Sequence, residues 1–170
     1  EEETLSTYLV SLLETLGRVD QFKNRVLYEH IDFHAITKPT DFSPVDKYVY
    51  NIMDSGFNGS EVGYDVYEWS DLLETFTQKQ AQQALVRTNC LDCLDRTNAM
   101  QTKLGHYSLF RILGRAGSKR AAMMSQDECR NPLPFFEKAG VSFYEQIRKI
   151  WANNGDQISM IYAGTGATTS

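Results

Sequence analysis

Cys90 and Arg96 frame a short stretch, RTNCLDCLDRTN from Arg87 to Asn98, with five residues between the thiol and the guanidinium. A loop of that length can curl around a tetrahedral phosphate with its backbone N–H groups turned inward. A helix beginning at its far end would aim its unpaired N–H groups and positive dipole end at the same point. Arg96 would close the ring, because a guanidinium fork matches two phosphate oxygens. Positive surroundings favour the thiolate, which is the form of cysteine that attacks phosphorus. Arg96 and the loop amides would then meet the charge that develops on the equatorial oxygens. Asp92 and Asp95 lie inside the loop. One of them would protonate the departing alkoxide and later activate water. Either one also repels an anionic substrate unless it is protonated or turned away.

Other readings compete at this point. Cys90 and Cys93 form a C-x-x-C pair, which suits redox chemistry or half of a zinc site. Zinc needs four ligands, and Cys129 and His106 are poorly spaced to supply the rest. Thioredoxin-like sites lack the Asp-Arg-Thr-Asn that follows here. A cysteine and an arginine six positions apart also occur by chance in purely structural loops.

The surrounding elements must hold that loop. Ala84-Leu85-Val86 reads as a short buried strand feeding into it. Met100, Leu104, Tyr107 and Leu113 then recur at helical spacing, with Gly114 as a stop. Upstream, Leu5, Leu9, Leu12 and Leu16 predict a helix ending at Gly17. Arg25 to His34 reads as a strand, and Val62 to Trp69 as another. Ser43-Pro44 opens a helix with the serine as cap, continued by Val45, Tyr48, Val49 and Ile52 and ended by Gly56. Residues 70–83 fit a short helix or a loop. A further helix covers about Val141 to Ala152, with Tyr144, Ile147 and Trp151 inward. GDQISMIYAGTGA after it reads as a strand or extended loop, and Asn154, Gly155 and Asp156 either approach the site or form a turn. The expectation is an α/β fold: a mixed central sheet with flanking helices and a phosphate loop between a buried strand and a helix N-terminus.

The 170 residues fit one domain with a proper core. Hydrophobic residues at 42% and charged residues at 23% exclude a disordered or low-complexity chain. No apolar run approaches the ~18 residues a bilayer span needs. A net charge of −5 argues against a general nucleic-acid binder, so an anionic ligand must be met by a local positive site. Three cysteines do not make a disulfide framework, which points to a reduced, cytosol-facing protein. The chain starts Glu1-Glu2-Glu3 and stops at Thr168-Thr169-Ser170, so both ends read as cut from something longer.

The whole string RTNCLDCLDRTN closely resembles the catalytic signature of the Sac domain, the phosphoinositide phosphatase domain also found in synaptojanins. IDFH at Ile31 to His34, followed by Lys38, is similar to that family's upstream aspartate-phenylalanine-histidine segment. WANNGDQISMIYAGTGA at Trp151 to Ala167 looks like its closing segment. The three motifs stand in the family's order and span most of the chain. Two positions depart from it: Ala84 stands where glycine is common, and Pro39-Thr40-Asp41 replaces aromatic and basic residues.

The resemblance implies the catalytic part of a Sac domain whose N-terminal half is absent. It implies Cys90 as nucleophile, Arg96 as phosphate clamp and Thr97 as a loop support. Leu91, Asp92, Cys93, Leu94, Asp95, Arg96 and Thr97 would form the phosphate-binding loop. Asp95 is the first choice of general acid and Asp92 the second. Arg87, Asn89, Asn98 and His34 would stand around the site. No metal or other cofactor is implied. The substrate would be a phosphatidylinositol phosphate, with the 4-phosphate preferred because GD-x-IS…GTGA looks most like the endoplasmic reticulum and Golgi branch. The place of work would be the cytoplasmic face of endoplasmic reticulum, Golgi or endosomal membranes. The protein would touch an anionic membrane peripherally and bind no nucleic acid; protein partners are unknown. A phosphatase for phosphotyrosine or soluble inositol phosphates shares the same loop. A catalytically silent phosphoinositide- or protein-binding module is the third reading, and an intact Cys90 and Arg96 speak against it. Lys103, Arg111, Arg115, Lys119 and Arg120 fall in a stretch without acidic residues, either a membrane-facing surface or an ordinary solvated face.

Overall fold

The structure is a computed structural model that describes residues 2–23, 26–38, 41–56, 65–90, 92–115 and 141–167. It divides into two compact units, Glu1–Asp32 and Phe33–Ser170. The first unit is built on helix α1, Glu2–Gly17, which ends at the expected glycine. Its Leu5, Leu9 and Leu12 are exposed. Val26 to Asp32 adopt no regular structure, against the strand expected from Arg25 to His34. Val26 and Leu27 are exposed, and β-forming side chains make a strand only where another strand offers pairing.

In the second unit, α2 is one helical turn, Phe33–Ile36. Thr37 closes it, donating both its N–H (3.0 Å) and its hydroxyl (2.6 Å) to the Phe33 carbonyl. The Phe33 ring packs on Phe42, with centroids 5.9 Å apart. A 3₁₀ turn, Ser43–Val45, leads into α3, Asp46–Tyr50, and a wider π turn, Asn51–Gly56, ends at the predicted glycine. Pro44 sits in the first turn as expected. Ser43 is not the cap. Its N–H instead donates to Asp41 Oδ1 at 2.9 Å, and those bonds to Ser43 hold the Asp41 carboxyl below its ordinary range.

Strands β1, Val66–Ser70, and β2, Thr75–Gln80, form an antiparallel hairpin closed by Asp71–Glu74. The segment that fitted either a short helix or a loop is therefore a turn and a strand. Residues 62–64 of the predicted strand lie outside the described residues. Ala84-Leu85-Val86 is irregular, not a buried strand, and Leu85 is 73% exposed. Helix and strand are both present, as expected. Among the described residues, however, the sheet is this hairpin and not a mixed central sheet.

Helix α4 runs Asp95–Arg115 and α5 runs Val141–Ala163. The closing segment continues α5 as helix to Ala163, where a strand or extended loop was expected. Gly164, at φ +75°, then stops it in the left-handed conformation that favours glycine. Val45 of the 3₁₀ turn, Val49 of α3, Met100, Leu104 and Tyr107 of α4, and Ile147 of α5 are buried and make the core. Each such side chain contributes about 1.5–3 kcal/mol. The side chains of Leu113 and Tyr144, and Met123, Met124 and Cys129, lie outside the described residues.

Lys103 is paired within the fold. Its Nζ lies 2.8 Å from Asp46 Oδ1, joining α4 to α3, with both side chains mostly buried. Burial pushes the Asp46 carboxyl up even beside that ammonium, so desolvation outweighs the pair's attraction. Arg115's side chain, Lys119 and Arg120 lie outside the described residues. His106, on the same helix, is pushed from 6.5 down to about 4, by burial first and by the Lys103 charge second.

These buried groups make two predictions. Lys103→Met should cost about 1–3 kcal/mol in denaturant unfolding, because it strands a desolvated carboxylate; adding Asp46→Asn should restore at least half. A histidine held neutral binds its proton more readily when unfolded. Its stabilising contribution is thus complete above pH 6.5 and is lost progressively towards about pH 4. His106→Asn should remove roughly 3 kcal/mol or less of that acid loss, read as the difference between variant and wild-type unfolding at each pH.

Candidate active site

The segment from Ala81 to Cys90 is irregular, residues 92–94 bend, and α4 starts at Asp95. The start of the helix is built by the loop. Asp92 Oδ1 accepts the Leu94 N–H at 3.1 Å, and the Leu94 carbonyl accepts the Asn98 N–H at 2.8 Å, the first turn of α4. Asp95 stands in that turn, where a carboxylate suits the positive end of the dipole.

Asp92 Oδ1 accepts a second hydrogen bond, from the Cys90 thiol at 3.1 Å. These bonds, from Cys90 first and Leu94 second, together with the Arg96 charge, hold the Asp92 carboxyl below its ordinary range. Thr97, buried in α4, donates its hydroxyl to Cys90 Sγ at 3.3 Å. The sulfur is therefore held beside the first turn of the helix. Cys93 folds back, its Sγ 3.3 Å from the Cys90 carbonyl oxygen, and its backbone is left-handed at φ +56°. Both cysteines are free thiols. Among the described residues no cluster of side chains is arranged to hold a metal.

Arg96 Nη1 meets His34 Nε2 at 3.3 Å. A guanidinium only donates, so Nε2 is the acceptor when this contact is a hydrogen bond. Phe33's packing on Phe42 sets the position of His34 one residue on. The structure thus brings together Cys90, Asp92, Arg96, Thr97 and His34, with Cys93, Leu94 and Asp95 in the same loop and turn. Arg87 and Asn89 are exposed in the segment before it, and no hydrogen bond among the described residues ties them to the loop. Leu91 lies outside the described residues.

Asn98 faces away from the sulfur, towards α5. Its Nδ2 donates to the Trp151 carbonyl at 3.2 Å, and its Oδ1 accepts from Asn154 Nδ2 at 2.8 Å. A cleft of about 170 Å³ lies there, lined by Thr88, Cys93, Leu94, Thr97, Asn98 and Gly155. Asn154, Gly155 and Asp156 are helical rather than a turn, and Asp156 holds the chain beyond the helix by accepting the Ala167 N–H at 3.0 Å. Sequence reasoning missed Thr88 and Ile158, and it ended too early the helix that carries Trp151 and Gly155. The signal was the recurrence of Ile147, Trp151, Gly155 and Ser159 every four residues, past the predicted end at Ala152.

Known proteins sharpen this picture. The chain is 33% identical over 151 residues to the polyphosphatidylinositol phosphatase INP53 of Saccharomyces cerevisiae, covering 88% of this chain and 12% of that protein. It is 34% identical over 142 residues to the phosphoinositide phosphatase SAC8 of Arabidopsis thaliana, covering 84% and 21%. It is 35% identical over 138 residues to human synaptojanin-1, covering 79% and 6%. No family model and no solved structure matches. The chain therefore spans at most about a fifth of the length of these relatives. It belongs to the Sac family of phosphoinositide phosphatases.

Cys93 sits where a side chain is disfavoured, so backbone relief and steric crowding can be separated. Cys93→Gly should be nearly neutral in thermal unfolding, whereas the β-branched Cys93→Val should cost about 1–2 kcal/mol.

Proposed function

We propose that this chain is the catalytic part of a Sac-type enzyme that removes a monophosphate from phosphatidylinositol phosphates through a phosphocysteine. The observation that carries the proposal is the seat of the Cys90 sulfur. It lies beside the first turn of α4, bonded by Thr97, in a chain whose relatives include phosphoinositide phosphatases.

The steps follow from the groups in place. Substrate phosphate enters the ring made by the loop, the start of α4 and the Arg96 guanidinium. The Cys90 thiol passes its proton to Asp92 Oδ1, its present acceptor, and the thiolate attacks phosphorus. The bond from phosphorus to the inositol oxygen breaks, and Asp95, entering this step in its acid form, gives its proton to that oxygen and is left as the carboxylate. Asp92 is ill suited to be the acid at the outset, because its bonds hold it ionised. In the second step Asp95 takes a proton from water, the water oxygen bonds to phosphorus, and the sulfur leaves as the thiolate and recovers its proton from Asp92. Thr97 and the helix N-terminus steady the sulfur as it regains charge.

Phosphatidylinositol 4-phosphate is the preferred substrate, by the likeness of the closing segment. The site would act at the cytoplasmic face of endoplasmic reticulum, Golgi or endosomal membranes, through peripheral contact with anionic lipid. Among the described residues, no helix is long and apolar enough to cross a membrane.

The test is phosphate release from a panel of phosphoinositides, soluble inositol phosphates and a phosphotyrosine peptide, using the longest natural chain that contains this segment. Release should be greatest from phosphatidylinositol 4-phosphate and vanish in Cys90→Ser. Asp95→Asn should slow an alkyl phosphate by about 10²–10⁴-fold and a nitrophenyl phosphate far less. Release from the peptide alone, or undiminished release by Cys90→Ser, would refute the proposal.

A further inference from the structure

We infer that Asn154 and Asn98 are positioning residues that set the Cys90 loop from α5, with Gly155 making the room. The inference rests on reading that loop as the phosphate site.

The pairing has a defined polarity. The Trp151 carbonyl can only accept, so Asn98 must present Nδ2 to it at 3.2 Å. Asn98 Oδ1 then faces Asn154, which must donate, and Nδ2 of Asn154 lies 2.8 Å away. Neither amide can turn over without setting acceptor against acceptor. Gly155 completes the seat, since a Cβ there would stand 2.8 Å from Asn98 Nδ2. Two turns along α4, Gly105 receives Trp151 so closely that a Cβ would overlap the indole. These two contacts fix both the slide and the rotation of α4 against α5.

What they fix is the working end of α4. The Asn98 N–H holds the Leu94 carbonyl at 2.8 Å, so the residue clamped by α5 also closes the first turn after the loop. Thr97, one residue earlier, bonds the Cys90 sulfur. Arg96, one further back, meets His34. A small rotation of α4 would move the hydroxyl off the sulfur and swing the guanidinium together with it. Asn98, Asn154 and Gly155 hold the helix and not the sulfur itself, so their action is on geometry. Misplacement on the ångström scale can cost about 10²-fold in rate.

The experiment uses the longest natural chain carrying this segment, with Asn154→Ala, Asn98→Ala, the double variant and Asn154→Asp. Folded fraction is checked by thermal unfolding at each assay temperature. Asn154→Ala should lower kcat on phosphoinositide by about 10–100-fold, with KM within about twofold, because the loss falls on the transition state. The double variant should be no worse than Asn98→Ala alone. Asn154→Asp places an acceptor against Asn98 Oδ1. Its activity relative to wild type should rise as pH falls and the carboxyl becomes a donor. Orthovanadate, which mimics pentacovalent phosphorus, gives a readout independent of turnover; Asn154→Ala should bind it at least about tenfold more weakly.

A kcat within twofold of wild type, a loss that disappears once folded fraction is corrected, or additive single losses would each overturn the inference. So would a pH-independent Asn154→Asp ratio, unchanged vanadate affinity, or no vanadate binding by wild type. If wild type turns over no phosphoinositide but the vanadate effect holds, the substrate proposal fails and the positioning role stands.

Discussion

The hydrogen bond from the Thr97 hydroxyl to the Cys90 sulfur fixes where that sulfur sits relative to α4. It can form only if the chain reverses within the few residues between them. That reversal is made by Asp92, which accepts both the Cys90 thiol and the Leu94 N–H, and by Cys93, whose left-handed backbone turns its sulfur back to the Cys90 carbonyl. Four-residue turns of this kind usually rely on glycine or asparagine for the left-handed position. Here the strain at Cys93 is held by the bonds on either side of it.

Electrostatics then decides what the loop can hold. The chain as a whole carries −5, so attraction for a phosphate has to be local. In the proposed site the start of α4 and Arg96 would supply it, and Asp92 and Asp95 would oppose it. In the described arrangement Asp92 is occupied by donors, which offsets much of its negative field inside the loop. The same bond keeps the thiol proton in place, since a thiolate and a carboxylate 3.1 Å apart would repel strongly. In the proposed mechanism, incoming phosphate and departing thiol proton would thereby be linked: the anion would draw the loop N–H groups inward as Asp92 takes up the proton.

The loop at Cys90 and the helix after it were readable because their pattern is local. The distance from Cys90 to Arg96, the helix that begins at Asp95 and the buried row of Met100, Leu104 and Tyr107 all follow from spacing within one segment. Errors arose where tertiary contact overrides local preference. Ala84-Leu85-Val86 and Val26 to Asp32 are rich in strand formers, yet no strand is paired with them among the described residues, so neither becomes part of a sheet. The closing segment carries Gly155 and β-formers such as Ile158, which argue against helix in isolation. It is helical because Gly155 lets Asn98 approach, and that contact joins residues more than fifty positions apart. His34 became interpretable only when its contact with Arg96 was visible, since a histidine at the end of a motif carries no partner in its own spacing.

The central claim is covalent: phosphorus passes through the sulfur of Cys90. It is tested most directly by acid-quenching the reaction of the longest natural chain, in its Asp95→Asn form, with phosphatidylinositol 4-phosphate and mapping the modified peptide by mass spectrometry. Slowed hydrolysis in that variant should let the intermediate accumulate, and the account predicts one added phosphoryl group on Cys90. Turnover of the lipid with no phosphoryl group on Cys90, or with phosphate trapped on another side chain, would contradict it.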